Sequence, residues 1–211
     1  MRKIFSILLA LCLIIGVTAC AGGNTEETVN KDNGSETTAP KQTDEAGSND
    51  SNSENSTLVV YFSATGNTKG VAEKIASITG ADIYEIKAVE EYTDADLDWN
   101  DSESRTTHEQ NDPSVRPEIG SDPVSLEGYT TVYIGYPIWW GEEPRIMDTF
   151  VESYDFDGIT MLPFCTSGSS GIGRSGKNLA DNAGSGNWLE GARFGAGASE
   201  DEIRTWIEDM D

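Results

Sequence analysis

Within six residues, Ser63-Ala64-Thr65-Gly66-Asn67-Thr68 gathers three hydroxyls and one carboxamide, directly after an apolar run at 58–62 and before a helical periodicity. Backbone N–H groups at the start of a helix attract anions, and hydroxyl and amide side chains add donors at the same point. Gly66 lets the backbone approach a ligand closely. The segment lacks the Gly-Lys-Ser/Thr ending of a P-loop and the spacing of a dinucleotide fingerprint. The chemistry this spacing suits is capture of a monophosphate by neutral donors, without magnesium. The plainer alternative is a strand-to-helix turn rich in capping residues.

Two further segments follow apolar runs. Gly135-Tyr136-Pro137-Ile138-Trp139-Trp140-Gly141 offers adjacent tryptophans, whose faces suit a flat apolar ring, although core packing is the alternative for either one. Pro163-Phe164-Cys165-Thr166-Ser167-Gly168-Ser169-Ser170-Gly171 offers hydroxyls and backbone donors. Cys165 has no histidine near it in sequence and reads as small hydrophobic filler rather than a nucleophile. The single histidine, His108, sits in a polar acidic stretch and reads as a solvated loop residue. Three cysteines with separate fates and one histidine cannot build a metal site.

The elements that must position these loops are legible as alternating patterns. Residues 58–62 read as a fully buried strand, and Val71, Ile75 and Ile78 follow at helical spacing. Residues 82–87, 131–135, 159–164 and 188–194 read as further strands. A helix is expected from about Pro144, with Ile146, Met147, Phe150 and Val151 on one face. Ser199 with Glu202 forms a capping box ahead of Ile203, Trp206, Ile207 and Met210. Strands alternating with helices imply an α/β fold, a doubly wound five-stranded parallel sheet covered on both faces, with order 2-1-3-4-5 among the few permitted topologies. Pro163 predicts a bulge or a strand end, because it removes a ladder donor. Residues 88–128 are long, acidic and weakly periodic for a connection inside a compact domain, and a short helix is expected around 94–101.

On these three segments the chain, over residues 57–211, resembles the flavodoxin-like FMN-binding proteins, most closely those with a Tyr-Pro-Ile-Trp-Trp-Gly loop. The resemblance implies a flavodoxin-like domain with FMN as cofactor. It implies a cofactor site built from Ser63, Ala64, Thr65, Gly66, Asn67 and Thr68 around the phosphate, and Pro137, Ile138, Trp139, Trp140 and Gly141 beside the ring. Trp139 or Trp140 would pack on the isoalloxazine, and backbone donors from Thr166, Ser167 and Gly168 would meet its pyrimidine edge. Gly141 resembles the glycine beside the flavin N5, whose peptide can turn because it bears no side chain.

The N-terminus carries an address. Met1-Arg2-Lys3 and the apolar run at 4–17 form a leader too short for a comfortable membrane span. Val17-Thr18-Ala19-Cys20 resembles the lipobox of bacterial lipoproteins. That implies a signal peptide at 1–19, diacylglyceryl attachment at Cys20, and an extracytoplasmic protein held to the membrane through its lipid anchor. A plain secretory signal is the alternative. Residues 21–56 are almost wholly polar and are expected to be a disordered tether, about 36 residues with a root-mean-square span of roughly 30–36 Å. If Cys12 leaves with the signal and Cys20 is acylated, Cys165 has no internal partner, so the domain is expected to be stable without a disulfide.

Thirty-seven acidic residues against fourteen basic ones give a formal net charge of −23. Such a surface repels phosphate backbones, which argues against nucleic-acid binding, and it favours docking to basic redox partner proteins. Two functional classes follow from the resemblance: an electron carrier between redox partners, which the extracytoplasmic address favours, and an NAD(P)H-dependent quinone or flavin reductase. A tethered binding module that has lost its flavin is a third.

Overall fold

The computed structural model describes residues 56–210; residues 1–55 and Asp211 lie outside the described residues, and so do the expectations of a leader, a lipidated Cys20 and a tether, except that Ser56, expected to end the tether, begins the first strand. In chain order the elements are β1 (Ser56–Phe62), α1 (Asn67–Thr79), β2 (Asp82–Ile86), α2 (Arg105–Asn111), β3 (Tyr129–Pro137), α3 (Arg145–Glu152), β4 (Thr160–Thr166), α4 (Ser175–Ala183), β5 (Asn187–Trp188), β6 (Ala192–Phe194) and α5 (Glu200–Met210). All strand pairs are parallel, in the order β2-β1-β3-β4-β5, with β6 continuing beside β4. This is the order expected for a doubly wound sheet.

Two apolar layers follow from the period-two alternation of strand side chains. Leu58, Val60, Phe62, Val132, Ile134, Tyr136 and Met161 point to the face that α3 covers with Ile146, Met147, Phe150 and Val151 and α4 covers with Leu179. Val59, Tyr61, Tyr133, Leu162 and Phe164 point to the face that α1 covers with Val71, Ala72 and Ile75 and α5 covers with Ile203 and Ile207. Gly135 makes room for this second layer. A Cβ there would lie 2.1 Å from the Phe164 ring. Of the capping box expected at α5, the structure shows the serine half: Ser199 Oγ accepts from the Glu202 N–H at 3.2 Å.

Pro163 lies inside β4, paired with Ile134 of β3, and the irregularity it causes falls on the neighbouring strand. The N and the C=O of a strand residue point to the same side. A Cβ at Gly191 would lie 2.6 Å from the Pro163 carbonyl oxygen, so the proline nitrogen also faces Gly191 and costs β3 nothing. Between the pairs Met161–Trp188 and Phe164–Ala192, the last strand spends three residues against two of β4, a bulge that divides the expected 188–194 strand into β5 and β6.

The connection at 88–128 differs most from expectation. Residues 94–97 make a single turn, with Thr93 O accepting from Leu97 N at 3.1 Å, and the helix forms later, as α2. Thr93 and the aspartates hold the earlier segment in side-chain-capped turns, as Asp96 Oδ2 accepting from Thr93 N at 2.8 Å illustrates. Ser104 instead caps α2 through the Thr107 N–H. The helix α4, between β4 and β5, has Leu179 as its only large buried apolar residue and leaves little periodic signal in the sequence.

Candidate functional site

The loops after β1, β3 and β4 meet at the carboxyl edge of the sheet, beside the point where strand order reverses. The first opens at Ser63 and ends at Gly66, which caps α1 with φ +84°. Gly70 N is the first amide bonded to the Gly66 carbonyl, at 3.0 Å, so the Asn67, Thr68 and Lys69 N–H groups precede the intrahelical ladder. Asn67 Nδ2 donates to Thr65 Oγ1 at 3.2 Å and holds that hydroxyl over the helix start. Ser63 Oγ is buried without a hydrogen-bond partner. A buried hydroxyl left unpaired is costly in a finished protein, and a ligand that accepts from it removes the cost.

Thr68 Oγ1 lies 2.8 Å from Thr166 Oγ1, which ties the first loop to the end of β4. Beyond Thr166, Ser167 N donates to Phe194 O at 3.2 Å. The Ser167 hydroxyl donates to the Ser170 carbonyl. Arg193 clamps the same residue, with Nη2 to Ser167 O at 2.6 Å and Nε to Ser167 Oγ at 3.1 Å. Ser167 is therefore fixed from β6, a contribution that no motif or periodicity signals.

The segment after β3 is a tight hairpin. Trp139 and Glu142 exchange both backbone hydrogen bonds at 3.0 Å, with Trp140 at φ 51° and Gly141 at φ 87° between them, the positive angles of a type I′ turn. Trp140 is the only non-glycine residue among those described with positive φ. This turn separates the roles of the two tryptophans. Trp139 packs edge-on against Phe62 at 5.7 Å and Tyr92 at 5.2 Å, whereas Trp140 projects with 47% of its surface exposed.

Two cavities border these loops. One of about 280 Å³ is lined by Thr65, Asn67, Pro137, Thr166, Ser167 and Gly168, and one of about 400 Å³ by Leu97, Trp99, Thr106 and Trp140. Thr65, Ile138 and Trp139 line both, so the two cavities adjoin along these residues and border a cleft between the N-terminus of α1 and the tryptophans. Ser63 and Ala64 border a neighbouring notch of about 260 Å³ with Glu85, Lys87 and Tyr92.

Behind the hairpin lies a buried charge cluster. Arg145 reaches Glu142 at 2.8 Å, Asp148 at 3.6 Å and Glu143 at 3.8 Å, and donates to the Glu109 and Gln110 carbonyls at the end of α2. A guanidinium suits those carbonyls at the negative end of the helix. Burial lifts the Glu143 carboxyl to about 7, against hydrogen bonding from its own backbone N–H and Asn178 and attraction to Arg145. Cys165 is fully buried, and burial pushes its thiol up to about 12, as befits filler rather than a nucleophile. His108 is exposed in α2, 3.7 Å from Glu103. No group of metal-ligating side chains occurs among the described residues.

A sequence model of the family described as flavodoxin matches residues 56–210. A candidate flavoprotein from Bacteroides eggerthii is 44% identical over 74% of this chain and 98% of its own, with a TM-score of 0.69. One from Bacteroides uniformis is 46% identical over 73% and 98%, with a TM-score of 0.70. A flavoprotein from Lactobacillus acidophilus, crystallised in complex with FMN, is 24% identical over 73% and 99%, with a TM-score of 0.57. No curated protein matches the chain.

Proposed function

The chain belongs to the flavodoxin family, and on that premise we propose that it is a membrane-anchored FMN protein that passes electrons between redox partners. The observation that carries the reading is the pair of adjoining cavities between the N-terminus of α1 and Trp139 and Trp140. It offers phosphate donors at one end and aromatic surface at the other, as a phosphorylated flat ring requires.

The residues present fit FMN. The leading α1 amides, Thr65, Asn67 and the unpaired Ser63 hydroxyl supply neutral donors for the phosphate. One of the two protons shared by Thr68 and Thr166 is spent between them, and the other is free to donate. Ile138, Trp139 and Trp140 line the ring end, and Ser167 with Gly168, held by Arg193, borders the middle of the cleft. Bound FMN supplies one- and two-electron chemistry, while the chain supplies orientation and electrostatics.

The carrier role rests on the charge of −23, which steers toward basic protein surfaces and away from anionic dinucleotides, and on the lipobox-like segment ending in Cys20. Titration of the full chain with FMN and with riboflavin tests the cofactor assignment. FMN is expected to bind much more tightly. Equal affinities overturn the role of the loop after β1.

A further inference from the structure

The connection between β2 and β3 contributes Leu97, Trp99 and Thr106 to the 400 Å³ end of the cleft. Trp99 is 73% exposed, the most exposed large apolar side chain described. Neither it nor Trp140 stacks on another aromatic ring among the described residues, whereas Trp139 is already packed against Phe62 and Tyr92. Two unstacked indoles bordering one cavity are a costly surface to leave to water.

The segment that carries Trp99 is built firmly. Thr106 bonds the Asp96 carbonyl through its N–H at 3.2 Å and its hydroxyl at 2.6 Å, and Thr107 Oγ1 donates to Asp101 O at 3.0 Å. Behind it, Arg105 lies 4.0 Å over the Tyr92 ring and 2.7 Å from Glu109, while Tyr92 itself packs on Trp139. Through α2, the Arg145 guanidinium ties the same segment to the Trp139–Glu142 hairpin. A wall fixed in this way requires little ordering on binding.

We infer that Trp99 is a ring-binding residue, supplied by the β2–β3 connection as an aromatic wall of the isoalloxazine site that Trp140 borders from the hairpin. The loop after β4, residues 167–171, contains no aromatic residue that could fill this place. Continuity of the cavity with Thr65 selects the flavin ring as occupant, because a phosphate held at α1 directs the attached ring along the same cleft.

The inference rests on the FMN reading, and the test separates the two. Lumiflavin, which carries the ring without ribityl or phosphate, and FMN are titrated by fluorescence quenching against the full chain, Trp99→Ala and Trp99→Phe. Trp99→Ala is expected to weaken both ligands by the same factor, roughly ten-fold, with Trp99→Phe recovering most of the loss. A variant that binds both flavins as the unaltered chain does overturns the role of Trp99 and leaves the FMN reading standing. An unaltered chain that takes up no FMN overturns both.

Discussion

The side-chain hydroxyls of Thr68 and Thr166, 98 positions apart in sequence, sit 2.8 Å from one another, in residues that are only 1% and 4% exposed. Their bond fastens the start of α1 to the end of β4, the two elements that border the phosphate end of the cleft. Thr166→Val should leave Thr68 buried and unpaired, lowering unfolding free energy by about 1–3 kcal/mol in urea melts. Replacing both threonines by valine should recover much of that loss, because no orphaned hydroxyl remains. Strictly additive losses would show that the pair is not coupled.

Ser63 separates stability from binding. Its hydroxyl is buried with no partner, so Ser63→Ala should not destabilise the flavin-free protein. The same change should weaken FMN by about 1.5–3 kcal/mol, the worth of a hydrogen bond to a charged group, while riboflavin affinity stays constant. Parallel titrations of both flavins decide it, and an unchanged FMN affinity would assign Ser63 to the neighbouring notch instead.

Glu143 predicts a pH dependence. Its folded carboxyl, raised to about 7 mainly by burial, holds a proton that the unfolded chain releases near its ordinary value of 4.5. Between those values the native state binds more protons, so stability present at low pH is lost as pH rises toward about 7 and then levels off. The groups around it are Arg145 and Asp148 from α3, Tyr136 from β3, Asn178 from α4 and the Gln110 side chain from α2. Glu143→Gln should flatten this slope and raise stability at pH 8 by on the order of 1–3 kcal/mol, since Arg145 keeps Glu142 and Asp148. Urea midpoints at pH 5 and pH 8 provide the comparison.

Two glycines should fail for different reasons. Gly141→Ala meets no atom within 4 Å but forces alanine to φ 87°, so its cost is conformational, about 1 kcal/mol. Gly135→Ala drives a methyl into the Phe164 ring and should cost about 1–3 kcal/mol through overpacking. Only the second should be partly rescued by Phe164→Leu, which thermal melts of the pair and the single variants would reveal.

The proposed lipid anchor is tested at Cys20. Cys20→Ser should release the protein from membranes or leave an unprocessed precursor of slower migration, and fractionation with immunoblotting reads both. A variant that stays membrane-bound at unchanged size would exclude lipid attachment at this thiol.

Contiguous signals were sufficient for much of the molecule. The donors of 63–68 stand in one short segment between a buried strand and a helix, so their order alone placed them at a sheet edge, and the apolar runs of β1, β3 and β4 made that sheet parallel. The tertiary structure decided what depends on contacts between distant segments. Neither Trp139 nor Trp140 is distinguishable by sequence, and a positive φ at one of them sends it outward while Phe62 and Tyr92 hold the other. Arg193 reaches Ser167 across 26 positions, and Trp99 joins the cleft from a polar stretch whose turns are capped by its own aspartates and leave no periodicity to read. Periodicity reports which face of an element is buried, whereas pairing of polar and aromatic side chains across the fold depends on distances that only the packed chain defines.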